Sequence, residues 1–489
     1  MTRIRTVLFW VLACTLVAAH AIVAWHSLVV ARFWEDEAFN LTVPLNMLRG
    51  LGYASDGALS GSTITPFDPR ISTGAAVLLP VTAVLSLGVD PVIGARLVPL
   101  AFWMLLLSGL AVLGRRIGGR WAALVAVAVP LAFNSAYTAS PIQGPADFLG
   151  EIPAAALIVW ALVVLHRRPW LAGLLLGLAV QAKLVALLAL PAFAVALWLL
   201  SPGSGAQRLL TTVRRSVLPL VLVAAPTLLL EVTALVSLGI DGYVEHLRAL
   251  KWFVLDGGQN YAPTTATEKF GTLVGAWYVP WWAALALALV AAGLIGGGLL
   301  SARRAGGRID VSALALTSAA ATGLVAYVAW WSTASHLPLW VRHPSPGVFA
   351  FIPLLSAAAV WGARMLWRSH SRGRAVLRLS AAAGIAAVTL GIAASGAAHV
   401  AATLAPSTIE TLDSQRAAVA PIRSWVQQND VAWIAAQPWG SATSAVVLAG
   451  AHVGLADAPA MSSTPRLTVG APCSREPIVD GPVYRVCAP

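Results

Sequence analysis

Charge is scarce in this sequence. Only 11% of its 489 residues are Asp, Glu, Lys or Arg, while 58% are hydrophobic; a soluble globular protein carries about 25% charged residues. That scarcity excludes a water-soluble enzyme, and a mean hydropathy of +0.78 also excludes disordered, collagen-like and coiled-coil chains. Cysteine is nearly absent, with three copies. Cys14 lies within an apolar run and reads as packing, whereas Cys473 and Cys487 share a polar tail and are close enough to pair in an oxidising compartment. There is no Walker sequence to draw energy from ATP, and no metal-ligand cluster, nucleotide loop or Ser-His-Asp order. No internal repeat is apparent, which counts against a transporter built from inverted halves.

What is present is a succession of apolar runs of roughly 20 residues, the length a bilayer demands. They indicate an all-α polytopic membrane protein. Eleven transmembrane helices are expected near 7–31, 91–113, 121–138, 148–165, 171–182, 184–200, 216–238, 272–299, 311–331, 347–366 and 379–398. The net charge of +12 does not point to nucleic acid, because the basic residues occupy short loops between the runs. With the N-terminus inside, the cytoplasmic segments hold 18 of the 32 basic residues, among them Arg115, Arg120, Arg167, Arg215, Arg308 and Arg372, but of the 20 acidic residues only Asp310. This asymmetry places the C-terminus outside. Arg3 and Arg5 ahead of an apolar stretch, with Ala19-His20-Ala21 behind it, also fit a signal peptide. The run continues to Val30, which favours a retained first helix.

Two short segments need special placement. Residues 73–88 are apolar, yet a span there would invert every later loop, so an interfacial or re-entrant element is expected within a long external loop, 32–90. The halves 171–182 and 184–200 are short, and Lys183 between them is costly at mid-membrane, so a tight turn near the outer face is expected. The other external parts are 239–271, where Asp241–Val254 is amphipathic and suited to the interface, and the tail. The tail alternates polar and apolar stretches and reads as a small α/β domain over 400–489, following a transmembrane domain over 1–399. Trp34, Trp121, Trp170, Trp277, Trp281 and Trp331 fall near span ends as an aromatic belt.

The densest chemistry follows the first helix, in Arg32-Phe-Trp-Glu35-Asp36-Glu37-Ala-Phe-Asn40. The three carboxylates cannot share one face, so at least one points inward, and a partly desolvated carboxylate at a membrane exit is suited to take a proton from an attacking hydroxyl. An ordinary solvated loop is the competing interpretation. A second acidic site pairs Asp147 with Glu151, four apart and on one helical face; N-terminal charge favoured by the helix dipole would also account for Glu151. On the same side lie Lys183 and Arg342-His343, with Arg70, Arg96, Arg248 and Lys251 as further cations able to hold a phosphate at headgroup level. Snorkelling or loop solvation is the plainer alternative for each.

The first 200 residues resemble the GT-C class of integral-membrane glycosyltransferases, the broad group that includes protein O-mannosyltransferases and lipid A aminoarabinose transferases. The matching elements are Trp34-Glu-Asp36-Glu37-Ala, Gly94-Ala-Arg-Leu-Val-Pro99, Gly114-Arg-Arg-Ile-Gly-Gly-Arg120, the Glu151 element, and Ala172–Lys183 with Pro191 following. The Arg-Tyr that commonly precedes the second acidic residue is missing around Ser140–Asp147, and neither 239–271 nor the tail matches a specific pattern.

The resemblance implies a sugar donor on a polyprenyl phosphate, chemistry on the outer side of the plasma membrane, Asp36 as the base with Glu37 beside it, and Glu151, or else Asp147, as the second acid. It implies that Lys183, with Arg96, Arg342 and His343, neutralises the departing phosphate. The acceptor would be a glycan, a lipid or a protein. Cofactors are not required, although paired acidic residues permit a divalent cation. A transporter or flippase of a lipid-linked sugar is the alternative, but it explains poorly why the acidic clusters stand outside the spans.

The orientation is checked with fused reporters. Fusions after Arg120, Arg215 or Arg308 are expected to report cytoplasm, and fusions after Asn260 or Ala405 the exterior; an external signal from the Arg303–Arg308 loop would overturn the eleven-span arrangement.

Overall fold

The first helix, α1 (Thr2–Trp25), loosens into a π-turn at His26–Val30 and leaves the bundle in extended chain. The computed structural model describes residues 2–56, 64–66, 68, 70, 72–255, 262–304, 310–368, 374–407, 410–437 and 440–489. Asn260, Arg308 and Arg372 lie outside these, as do parts of the 32–90 and 239–271 segments.

Next comes α2 (Glu35–Leu48), whose first turn is Glu35, Asp36 and Glu37, where the helix dipole favours anions. A short antiparallel pair, β1 (Ala54–Asp56) and β2 (Ile64–Pro66), leads to α3 (Ala75–Leu85). At 11 residues, α3 is too short to cross a bilayer, as expected for 73–88. Helix α4 (Pro91–Ala132) starts with Asp90 accepting the Ile93 N–H at 2.9 Å and Pro91 in the first helical position.

Although continuous in name, α4 is a hairpin. Gly119 has φ +76°, a conformation that favours glycine, and the limbs then run so close that a Cβ on Gly114 would lie 2.9 Å from the Ala122 carbonyl oxygen. Arg364 donates to the Gly118 carbonyl at the bend. The remaining helices are α5 (Glu151–Leu165), α6 (Pro169–Ala182), α7 (Leu190–Leu200, entered through a 3₁₀ turn at Leu184–Ala189), α8 (Gly205–Leu255), α9 (Ala266–Gly275), α10 (Trp281–Arg304), α11 (Val311–Thr333), α12 (Ser345–Trp367) and α13 (Arg374–Leu404).

Seven helices are long and apolar enough to cross a membrane. The two limbs of α4 count separately, and four shorter apolar helices, α3, α5, α6 and the Leu184–Leu200 segment containing α7, accompany them among the described residues. Helix α12 forms the buried centre, while α8 turns Leu228, Leu229, Val232 and Val236 outward, as a lipid-facing helix must.

Three boundaries differ from expectation. The span placed at 272–299 is split, because the irregular stretch 276–280, ending in Pro280, separates the short α9, with its Thr265–Glu268 capping box, from α10. The limb placed at 121–138 ends at Ala132, and the chain from there to Gly150 is irregular. The helix placed at 216–238 continues past a break at Gly239 (φ +68°) to Leu255.

The tail is an α/β unit. After α14 (Leu412–Gln428) come β3 (Trp433–Ala436), α15 (Ala442–Ala449), β4 (His452–Leu455), β5 (Arg466–Val469) and β6 (Tyr484–Cys487). The sheet order is β4-β3-β5-β6, with β3 parallel to β4 and β5, and β6 antiparallel to β5. Cys473 and Cys487 are joined, with Cα atoms 5.4 Å apart. In intact, non-reduced protein neither thiol should react with a labelling reagent; labelling of both would remove the bond.

Candidate active site

The WEDE stretch divides its carboxylates among three surroundings, because successive positions of a helix point about 100° apart. Glu35 turns back to Arg32, 3.0 Å away. Glu37 is fully buried and meets Arg96 of α4 in a two-pronged contact, Nε to Oε1 at 2.9 Å and Nη2 to Oε2 at 2.6 Å. The other Arg96 donors reach the carbonyls of Leu28 and Ala31 (3.2 and 2.9 Å) and of Arg32 (2.8 Å). All five guanidinium N–H groups are therefore used. Glu37 Oε1 also accepts the Phe148 N–H at 3.0 Å, which ties the 133–150 loop to the same pair.

Asp36 and Glu151 sit differently. Asp36 pairs with Arg342, and Glu151 with Lys183 at 3.0 Å. The side chains of Asp36, Arg342 and Lys183 keep 16%, 11% and 18% of their surface open, against 1% for both Glu37 and Arg96. Glu151 itself is buried, with 2% open, so each of these pairs reaches the surface through at least one partner and the Glu37–Arg96 pair through neither. The Arg342 guanidinium lies over the rings of Trp340 and Trp34, 4.9 and 5.7 Å from their centres. His343 stacks on Trp340, and burial, with Arg342 and Lys183 nearby, pushes its imidazole well below its usual value. His343 Nε2 and Glu151 Oε2 are buried without a hydrogen-bond partner.

Local sequence explains the convergence. Lys183 has extended backbone between α6 and the 3₁₀ turn, and α5 begins against it because Gly150 carries no side chain: a Cβ there would lie 2.0 Å from the Ala182 carbonyl oxygen. The Arg342-His343 loop is held by Lys269 of α9, which is fully buried and donates to the carbonyls of Trp331 (2.7 Å) and Ala334.

Asp147 is closed in. It accepts from Trp34 Nε1–H at 2.9 Å and from the Gln143 N–H at 2.7 Å, and burial, reinforced by the Glu37 charge, pushes its carboxyl well above the usual range. Further along the first loop, Asp68 meets Arg70 at 2.5 Å and His246 of α8 at 2.9 Å, and Arg70 reaches Glu231 at 3.1 Å. Burial alone would raise the Asp68 carboxyl, but hydrogen bonds from His246 and Arg70 outweigh it and bring it down to about 2. This cluster forms part of the lining of a cavity of about 390 Å³ with mainly apolar walls, lined also by Leu230, Leu238, and by Gln181 and Leu184, close to Lys183 in sequence.

The structure thus pairs Asp36 with Arg342 and Glu151 with Lys183, with His343 next to Arg342. Arg96, expected among the phosphate ligands, does not fit that role, because its donors are all spent inside the protein. Glu37 and Asp147 are likewise internal supports. Sequence reasoning missed Lys269 and the Asp68–His246 contact, and gave Trp34, read as belt and as part of the matching WEDE element, no polar partner; its place beside three carboxylates was the available signal for one. Among the described residues, no three of His, Cys, Asp and Glu group as metal ligands.

No family model matches the chain, and no curated protein matches it by sequence. Solved structures do. The chain superposes on ArnT from Cupriavidus metallidurans bound to undecaprenyl phosphate with a TM-score of 0.60, at 13% identity over 97% of both chains. The same protein in its apo state gives 0.51, again at 13% identity over 97% of both chains. The oligosaccharyltransferase of Archaeoglobus fulgidus in complex with Zn and sulfate gives 0.49, at 12% identity, over 91% of this chain and 62% of that one. The fold is GT-C. Within the GT-C fold of this chain, the open ion pairs stand at the loop end of the bundle, against α2 and the 133–150 and 334–344 loops.

The sealed pair makes a stability prediction. Arg96→Met leaves the Glu37 carboxylate buried without its cation and is expected to cost about 3–5 kcal/mol. Glu37→Leu combined with Arg96→Met should recover part of that loss, as thermal unfolding in detergent would show; a single variant as stable as the parent would contradict the assignment.

Proposed function

We propose that the protein is a glycosyltransferase that moves a sugar from a polyprenyl-phosphate donor to a hydroxyl acceptor at the outer face of the cytoplasmic membrane. The observation that carries this is the two carboxylate–cation contacts Asp36–Arg342 and Glu151–Lys183, in which Asp36, Arg342 and Lys183 keep a little open surface while Glu151 is buried. Gln181 and Leu184, next to Lys183 in sequence, line an apolar-walled cavity. A lipid phosphate needs that combination: cations for its head and apolar wall for its chain. ArnT was crystallised with undecaprenyl phosphate bound, which supports the same ligand class here.

Lys183 and Arg342 would exchange their carboxylates for the donor phosphate, with neutral His343 able to donate one hydrogen bond to a phosphate oxygen. Asp36, released from Arg342, accepts the acceptor hydroxyl proton. The oxygen attacks the anomeric carbon in line, the bond from that carbon to the phosphate oxygen breaks, and the polyprenyl phosphate leaves with its charge matched by Lys183 and Arg342. A single displacement inverts the anomeric carbon. Glu151, freed in the same exchange, can orient the acceptor, which would be a glycan, a lipid or a protein. No step is routed through a metal. A flippase for the lipid-linked sugar gains no support from ion pairs gathered at one end of the bundle. The N-terminus is assigned to the cytoplasm and the tail, with its Cys473–Cys487 bond, to the outside.

Asp36→Asn keeps size and polarity but cannot take the proton, so turnover should fall by about 10²–10⁴ while donor binding survives. Glu35→Gln, on the Arg32 side, should matter far less. Near-normal turnover of Asp36→Asn in a purified assay would sink the assignment; loss of donor binding in parallel would mark a structural carboxylate instead.

A further inference from the structure

The α/β tail grips the carboxylate helix at both of its ends. Ahead of α2, the buried Gln415 side chain of α14 accepts the Phe33 N–H at 2.6 Å and donates to the Phe33 carbonyl at 2.9 Å, while Ala31 forms an isolated β-bridge with Thr411. Phe33 lies three residues before Asp36. Beyond α2, the buried Asp56 carboxylate accepts the Val453 N–H of β4 at 3.1 Å and pairs with His452 at 3.0 Å, and Asn46 of α2 itself donates to Asp56 at 2.8 Å. Helix α2 also packs on α15.

Peptide groups that leave a membrane helix must find partners or water. Here, at the step that sets the angle of α2, a side chain almost 400 residues away in sequence supplies both hydrogen bonds. We infer that the C-terminal unit holds α2 in register for catalysis, with Gln415 as its positioning residue. This rests on the role given to Asp36 above. The consequence is kinetic: an error of about 1 Å in a reacting group can cost about 10²-fold in rate, whereas the cations that hold the donor belong to other elements and keep their places.

The test uses full-length protein in lipid nanodiscs and compares Gln415→Ala with Arg416→Ala. Arg416 lies on the same helix and, among the described residues, pairs with the exposed Asp90, at 2.7 Å. Gln415→Ala should speed hydrogen exchange across residues 35–48 and lower kcat about ten- to hundredfold, with the KM for a polyprenyl-phosphate sugar nearly unchanged and the amides of β3 and β4 still protected. Arg416→Ala should do neither. Unaltered exchange at 35–48 in Gln415→Ala overturns the clamp whatever the activity, and so does a loss of kcat that comes only with loss of protection in β3 and β4. Faster exchange at 35–48 in a protein whose parent turns over no lipid-linked sugar keeps the clamp and removes the glycosyltransferase.

Discussion

A guanidinium and a carboxylate can be buried together only where every donor and acceptor is satisfied, because each ion gives up several kcal/mol of hydration on leaving water. Glu37 and Arg96 meet that condition: two contacts to each other, three backbone carbonyls for the arginine, and the Phe148 N–H for the carboxylate. The groups recruited come from the end of α1, the start of α2, the first turns of α4 and the loop before α5. Satisfying one pair therefore fixes four segments. Asp36, one residue from Glu37, is anchored on this side by that pair, as it is on the other by the contacts of the C-terminal unit to Phe33.

The loop end thus separates two uses of the same chemistry. The sealed pair carries position; the Asp36–Arg342 and Glu151–Lys183 pairs are, on the proposed function, the ones that exchange with the donor phosphate. Trp34 joins the two sets, donating to Asp147 while lying against Arg342. Partial exposure decides which pair does which, and exposure follows from direction on the α2 helix: consecutive residues face a solvent-side arginine, the open site and the core in turn.

Much of this was legible in sequence. Apolar runs gave the multi-pass helical class, the short α3 and the break at Lys183, since bilayer thickness and the cost of a buried ammonium leave few alternatives. The WEDE stretch announced an inward carboxylate but not which one, because helical phase depends on where α2 begins. The role of Arg96 was not legible: its type suits a phosphate, and only the three carbonyls around it reveal that no donor remains. Gln415 and Lys269 were invisible for a related reason. Each acts on backbone groups, which have no sequence signature, and Gln415 does so from the far end of the chain.

The central claim is that Lys183 and Arg342 give up carboxylates to a lipid phosphate. It is tested most directly by the affinity of purified protein for a polyprenyl phosphate compared with the polyprenol of the same length. With charge-assisted hydrogen bonds worth about 1.5–3 kcal/mol each, the phosphate should bind at least about tenfold more tightly, and Lys183→Ala with Arg342→Ala should erase the difference while leaving the alcohol's affinity in place. Equal affinity of the unaltered protein for phosphate and alcohol would contradict the account.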